Sequence, residues 1–530
     1  MSSRLARSAG LISIATLASR ILGVVRETVL AYYFGASASP QMDAYNVAFR
    51  VPNLLRDLFA EGAMTAAFVP AFTRALSERG REQAWRLGNL VMNTLLIVTG
   101  VLVVLGIIFA EPITRAIVAI EFEQVPGKVE LTTTLTRVML PFLMTIAVAV
   151  AMMGMLNSLR QFFIPSLSPA MFNLATIGSV VVLVPLMPSL GLQPIMAVAI
   201  GTLLGGLGQV ALQWPALRRE GFSYRASIDF RDPELRRVVR MMVPATLGVA
   251  AVNINVLVNT LLASREPEGA VSWLGYAFRL MYLPIGLFGV SIATAALPEV
   301  SRQAVSRDLE SIRRTVSHAL RLMLMLNVPA MIGLMVMADP IVALLYERGA
   351  FDRADTVATA AALVFYAPGL LGYSIVKIVS PTFYSLHDSR TPASVSMASV
   401  GLNLVLNLTL VEFFGFRGLA LGTAIAALVN AGVLVWLLHR RVGGLEGRTL
   451  AAGIGKIALA SVIMGGVAVM TGRWLTELLP GSGELAKATR VFGAIAVALA
   501  ALATAARLLR IEEFDEATRR IARRLAPGRP

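Results

Sequence analysis

Between Ser19 and Arg74 the chain reads SRILGVVRETVLAYYFG, a short polar gap, then MDAYNVAFRVPNLLRDLFAEGAMTAAFVPAFTR. This stretch is apolar enough to lie in a bilayer, yet it carries Arg20, Arg26, Glu27, Asp43, Arg50, Arg56, Asp57 and Glu61. A guanidinium at mid-membrane costs about 2.5–3.5 kcal/mol on insertion scales, so four facing lipid would cost on the order of 10 kcal/mol or more. These arginines must therefore face counter-charges or a wet cavity. Arg20 and Arg26 are six apart, as are Arg50 and Arg56. On a straight helix that spacing means about 120° of rotation and roughly 9 Å of rise, so each pair can border one cleft only at two depths. Arginine's planar fork meets phosphate oxygens two at a time, where lysine offers a point charge. Such a cavity suits an anionic, phosphorylated ligand. Arg50 and Arg56 have a second reading, as internal ion pairs with Asp57 or Glu61 or as side chains snorkelling toward an interface.

The helices that must carry these residues follow from composition. Of 530 residues 56% are hydrophobic and 15% charged, with a mean hydropathy of +0.71, too apolar for a soluble protein. The apolar runs lack the alternation of an outer-membrane barrel, so the class is an all-α polytopic membrane protein. Fourteen transmembrane helices are expected, among them windows at 10–34, 44–73 and 241–263. A net charge of +15 is read as basic loops on one membrane face, with no nucleic acid as partner. Of the 47 Lys and Arg residues, 30 fall on the side of the N-terminus and 10 on the other, which places both termini in the cytoplasm. Arg4 and Arg7 before an apolar run raise a cleaved signal peptide, but Arg20 and Arg26 interrupt its core, and the first helix is kept. Cysteine is absent, which removes disulfides and thiolate metal sites.

The sequence repeats itself. Ala48-Phe49-Arg50 recurs as Ala277-Phe278-Arg279, Glu111-Pro112-Ile113 answers Asp339-Pro340-Ile341, and Pro141 answers Pro368, at a nearly constant offset. Arg279 thus stands at the repeat position of Arg50. The expectation is two six-helix lobes, residues 1–218 and 219–440, related by a pseudo-twofold axis along the membrane normal. Two extra helices at 441–510 and a basic amphipathic cytoplasmic tail at 511–530 follow. Pro52, Pro141, Pro284 and Pro368, with Gly23, Gly62, Gly286 and Gly289, lie inside spans and read either as ordinary packing or as hinges.

Catalytic chemistry is not legible. His318, His387 and His439 lie near helix ends, and no metalloprotease, nucleophile-elbow or phosphate-loop pattern occurs. No cofactor is expected, and the chain reads as a non-enzyme.

SRILGVVRE, VPNLLRDLFAEGAMTAAFVP and YAFRLMYLPIGLFGVSIATAALP closely resemble the MurJ (MviN) lipid II flippase family of the multidrug/oligosaccharidyl-lipid/polysaccharide exporter superfamily. The resemblance implies fourteen helices, a lipid-tail groove on the last two, and a bacterial cytoplasmic membrane location. It implies alternating access that carries lipid II, an undecaprenyl-diphosphate-linked disaccharide-pentapeptide, from the inner to the outer leaflet. Membrane lipids and other cell-wall synthesis proteins are the further partners. The family's cavity arginines match Arg20, Arg26, Arg56 and Arg279, and its first-lobe acids match Asp43 and Glu61; Glu27 stands where Asp is common. Phe278 and Tyr282 stand where some members carry acids, which leaves Arg279 less neutralised. On this reading Arg20, Arg26 and Arg279, with Arg50 and Arg56 beside them, bind the diphosphate. Asp43, Glu61, Glu27 and Asp57 supply gating or ion pairs. The alternatives are a flippase for another polyprenyl-diphosphate-linked saccharide and a scaffold of the division machinery.

Overall fold

The computed structural model describes the backbone of residues 2–58, 62–445, 447–481 and 483–515; side chains at 1–14, 59–66, 243–252, 254, 446–451, 482 and 516–530 lie outside the description. Every regular element among the described residues is helical. The chain divides into two compact units, Met1–Ser272 with Gly349–Phe351, and Trp273–Arg348 with Asp352–Pro530.

Unit 1 contains α1 (Ser2–Phe34), α2 (Gln41–Arg56), α3 (Gly62–Glu78), α4 (Gly80–Ile108), α5 (Ala110–Ile117), α6 (Ile120–Glu123), α7 (Lys128–Met139), α8 (Phe142–Ser158), α9 (Phe163–Leu183), α10 (Met196–Arg219) and α11 (Pro233–Ala263). It also takes in the first turn of α12 (Ala270–Pro284). Phe68, Phe72, Leu90, Met92, Phe142, Met152 and Met155 form its main core, and α11 joins that core through Leu235 and Val238. Small residues let the helices close up: a methyl group on Gly206 of α10 would lie 2.0 Å from Thr145 Oγ1 of α8. The segment 349–351 is seated on the end of α1, where Ala350 N–H donates to Tyr32 O at 2.9 Å. Gly35 (φ +63°) and Gly349 (φ +62°) permit this approach, since a Cβ on either would meet a carbonyl oxygen at 2.3 Å.

Packing of α11 on α3 and the linker between α10 and α11 together tie α11 to unit 1. Asn93 donates to Arg225 O (2.8 Å) and Ser227 O (2.9 Å) and accepts from Tyr224 Oη (2.7 Å). Asn89 donates to Ser223 O and accepts from Arg225 N–H, both at 3.0 Å. Arg79 pairs with Glu234 at 3.0 Å and Arg86 with Asp232 at 3.4 Å. Asp232 also caps α11, accepting from Glu234 N–H (2.9 Å) and Leu235 N–H (3.1 Å), with Pro233 in the first turn where its missing N–H costs nothing. Unit 1 thus runs past residue 218, the end of the first repeat in sequence.

Unit 2 continues α12 into a π-turn at Ile285–Gly289, then α13 (Val290–Val305), α14 (Leu309–Val336), α15 (Ala338–Tyr346), α16 (Arg353–Tyr366), α17 (Gly369–Ser385), α18 (Arg390–Phe414), α19 (Phe416–Arg441), α20 (Gly447–Leu478) and α21 (Glu484–Leu508). The order of elements repeats: α4, α5, α7 and α8 are answered by α14, α15, α16 and α17. Pro141 separates α7 from α8, and Pro368 separates α16 from α17 with a bend of 44°. Each removes a backbone donor within a span-length pair, the usual cause of a kink. Within α18 and α19 a polar ladder joins Asn407 to Asn403 (3.1 Å) and Asn403 to Thr423 (3.4 Å).

Helix α20 packs on α14 and α21 packs on α20 and α15, with Ile457, Ala460, Met464, Ala494 and Ala498 sharing a core with Leu320 and Met323. Arg321 and Glu513 make a buried ion pair at 2.8 Å. The start of the expected tail is therefore docked through Ile511 and Phe514, while 516–530 lie outside the described residues. Around the start of α21, Lys487 pairs with Glu347 (3.3 Å), Arg348 with Glu484 (2.8 Å) and Arg353 with Asp339 (2.8 Å). Burial pushes the Glu347 carboxyl up, but hydrogen bonds from Thr356 and Lys487 outweigh it and hold the group below its ordinary value.

Among the described residues ten helices are long and apolar enough to cross a membrane, or eleven with the bent pair α16 and α17 as one span. The windows expected at 10–34, 44–73 and 241–263 fall on α1, on α2 with α3, and on α11, each of which includes residues outside the full description.

Two outcomes follow from this packing. Asn93→Ala removes three hydrogen bonds from the linker, each net worth about 0.5–1.5 kcal/mol. Amide hydrogen exchange should rise at 223–231 and stay unchanged across α9 and α10. The depressed Glu347 pKa stabilises the fold above the unfolded value of about 4.3. That contribution is lost as pH falls through the folded value. Exchange at the first turn of α21 should accordingly rise on acidification and be insensitive to pH in Glu347→Gln.

Candidate functional site

Helix α1 carries Arg20, Arg26 and Glu27 along one 33-residue helix, so it must satisfy its charges by side-chain contacts. Arg20 is half-buried, close to the point where Asn173 of α9 donates to Ser19 O at 3.0 Å and lies 3.7 Å from the Cβ position of Gly23. Arg26 pairs with the carboxylate of its neighbour Glu27, its Nε reaching Oε1 at 3.2 Å. Glu27 is only 4% exposed, while the Arg26 side chain keeps 19%. The Arg26 guanidinium also lies over the Phe172 ring, 5.2 Å from its centroid. Phe172 belongs to a pad with Phe49 (6.1 Å) and Phe142 (5.5 Å), and Tyr45 stacks on Phe49 at 5.8 Å. The result is a cation held between a buried carboxylate and an aromatic face, partly desolvated and still reachable.

On α2, Arg50 is half-buried and follows Phe49 in the chain. Arg56 donates to the adjacent Asp57 through Nη2 (2.9 Å) and Nε (3.2 Å), with both side chains about a quarter exposed. This is the internal pair that the spacing of charges allows. Glu61 lies outside the described residues. Arg279 sits in unit 2 on α12, half-buried, 5.9 Å from the ring centre of Tyr276.

Asp43 has different partners from those a first-lobe acid beside arginines would suggest. At 2% exposure it accepts from Gly269 N–H (3.0 Å), Ser272 N–H (3.0 Å) and Ser272 Oγ (2.6 Å). Its counter-ion is Lys128, 3.5 Å away and 3% exposed, which also lies 3.7 Å from Glu268 and 4.4 Å from the Phe122 ring centre. Asn46 donates to Ser272 Oγ at 3.0 Å. The carboxylate ties the start of α2 to the start of α12 and the start of α7. Ser272 occupies the repeat position of Asp43, so the contact joins equivalent residues of the two halves of the sequence. Sequence reasoning missed Lys128, Ser272 and Asn46. Lys128 follows Pro126-Gly127 in a polar stretch and reads as a solvated loop cation; only the repeat offset could have marked Ser272.

The histidines do other work. His439 Nδ1 accepts from Leu445 N–H at 2.9 Å, closing the turn after α19, and His387 has φ +59° in the turn after α17. Among the described residues no three His, Asp or Glu side chains are grouped as metal ligands.

Against known proteins, residues 30–486 match the family model described as "Lipid II flippase MurJ". A "Probable lipid II flippase MurJ" of Vibrio cholerae is 34% identical over 485 residues, covering 90% of each chain, and one of Bdellovibrio bacteriovorus is 33% identical over 97% of this chain and 96% of its own. A solved structure of "Lipid II flippase MurJ, inward closed conformation" superposes with a TM-score of 0.75 at 27% identity, covering 94% of this chain and 99% of that one. An inward-facing multidrug resistance MATE transporter of the MOP superfamily shares the fold, with a TM-score of 0.69 at 16% identity over 81% of this chain and 96% of its own. With most of its length matched by the family model and by relatives a third identical, this multi-pass membrane chain belongs to the lipid II flippase MurJ family.

Proposed function

We propose that this chain moves lipid II from the inner to the outer leaflet of the cytoplasmic membrane by alternating access, its diphosphate gripped by Arg20, Arg26 and Arg279. The family is one of transporters rather than catalysts. The observation that carries the proposal is the state of Arg26: half-buried within a long helix, neutralised by one buried carboxylate, backed by an aromatic face, and still partly open. A guanidinium so placed can exchange water for phosphate oxygens without crossing lipid. Arg50 and Arg56 extend the basic lining on α2, with Asp57 setting how much of the Arg56 charge is on offer.

The same reading takes fourteen spans, with α1, the α2 and α3 pair, and α11 as the three beyond those long and apolar enough on their own. It takes two six-helix halves in one orientation, with both termini in the cytoplasm, a placement supported by the 30-to-10 distribution of basic residues. Helices α20 and α21 supply the surface for the polyprenyl tail. The Asp43 cluster acts as a latch that forms and breaks as the cavity turns. Its three hydrogen bonds and its ion pair with Lys128 are buried, and it holds the first turn of α12, the helix that carries Arg279.

Depletion of the protein followed by an assay of outer-leaflet lipid II tests the grip. Arg26→Ala and Arg279→Ala should each weaken lipid II retention by about 10- to 100-fold, the scale of losing hydrogen bonds to a charged group. Full rescue of lipid II exposure by both alleles at normal protein level would rule the cavity out. The latch has a separate readout. Asp43→Ala leaves Lys128 buried beside Glu268 alone, and breaking a buried pair from one side costs about 3–5 kcal/mol. Thermal stability should fall sharply in Asp43→Ala and recover only in part in Asp43→Ala with Lys128→Met, since Gly269 N–H and Ser272 N–H stay without their acceptor, while transport stays lost in both.

A further inference from the structure

Beside Arg279 on α12 lies a group of aromatic rings that no charge-based mechanism uses. Phe278 and Tyr282 stack with centroids 5.8 Å apart and planes 28° off parallel. Tyr366, the last residue of α16, meets Phe278 edge-on at 5.5 Å, and Tyr373 of α17 meets it at 6.2 Å and Tyr282 at 6.4 Å. The rings therefore gather where the α16 and α17 pair bends by 44° and just before the π-turn of α12 at Ile285–Gly289. Gly289 packs so tightly on α17 that a Cβ there would lie 3.0 Å from Ser374 Oγ. Phe278 and Tyr373 thus fix the Tyr282 ring from two sides. Tyr282 nonetheless keeps 39% of its surface open, while Tyr366 is almost covered at 8%.

An open, immobilised phenol one turn along the same side of a helix from a cation is a two-part receptor. Residues three apart on a helix are neighbours, separated by about 4.5 Å along the axis. Arg279, whose guanidinium lies near the Tyr276 ring, and the partly exposed Tyr282 therefore occupy neighbouring positions on α12, a phosphate-binding fork followed one turn on by a phenol. A ligand filling both has an anion joined directly to a ring with an apolar face and polar edges, which describes a hexopyranose bonded through its anomeric oxygen to a diphosphate. The negative π face attracts the partly positive C–H face of such a ring, and the phenolic hydroxyl reaches its edge.

We infer that Tyr282, held by Phe278 and Tyr373, is the stacking platform for the sugar residue attached to the diphosphate, so that this chain reads the saccharide as well as the phosphate. This rests on the diphosphate being held at Arg279. Full-length protein in lipid nanodiscs is titrated with lipid II and with undecaprenyl diphosphate, which lacks the sugar. Tyr282→Ala and the bulk-preserving Tyr282→Leu should each weaken lipid II binding by roughly 3- to 10-fold, the scale of one aromatic stacking contact. Both should leave undecaprenyl diphosphate binding unchanged, and Tyr282→Trp should restore lipid II binding. Arg279→Ala should weaken both lipids alike. The platform is overturned, with the diphosphate reading intact, when Arg279→Ala behaves in that way but the Tyr282 variants leave lipid II binding unchanged or weaken both lipids equally. Saturable binding of neither lipid by the unaltered protein, or indifference of both lipids to Arg279→Ala, overturns the diphosphate reading and the platform together.

Discussion

The structure depends on one constraint: an ionised group inside an apolar helix has to be answered by another group, because lipid will not answer it. Each of the charged residues in α1 and α2 whose contacts are seen meets that demand in its own way. Arg26 uses the carboxylate next to it and a ring behind it. Among the described residues Arg56 pairs with its neighbour Asp57 and keeps more water. Asp43 uses three donors and a buried lysine from elements distant in sequence. The first two solutions leave the cation reachable; the third closes the anion away. That difference separates groups suited to receive a ligand from a group suited to hold helices together.

Much of this was legible in the sequence because membrane insertion penalises charge so heavily that any exception is informative. Arg20, Arg26, Arg50, Arg56 and Arg279 stood out for that reason alone. Pro141 and Pro368, which answer each other in the sequence, both fall at breaks between helices, at α7 with α8 and at α16 with α17. Lys128 was not legible. Burial of a lysine is decided by what packs over it, here Phe122, Asp43 and Glu268, and local sequence holds no record of that. The placement of α11 in unit 1 was equally hidden, since it rests on packing against α3 and on amide side chains of Asn89 and Asn93 that hold the preceding linker, a segment more than 130 residues away.

The aromatic rings illustrate a middle case. Phe278 and Tyr282 are four apart, and in an apolar helix such residues read as packing. Only the meeting with Tyr366 and Tyr373 at a bend shows that they form one object, and only the uneven exposure of its members shows which ring is presented. Breaks in regular structure are useful here because they free space that straight helices would fill.

The two arginine pairs of α1 and α2 have one more property. Arg26 with Glu27 and Arg56 with Asp57 are made by consecutive residues, so no loop must close to form them and no helix displacement can part them. The Asp43 and Lys128 pair joins residues far apart in the chain and survives only while α2 and α7 keep their register. Electrostatic neutrality in this protein is therefore of two kinds, one carried along with each helix as a permanent dipole and one that exists only in a given arrangement of helices. A change that parts α2 from α7 would leave the local dipoles as they are and would have its electrostatic cost in the buried Asp43 and Lys128 pair.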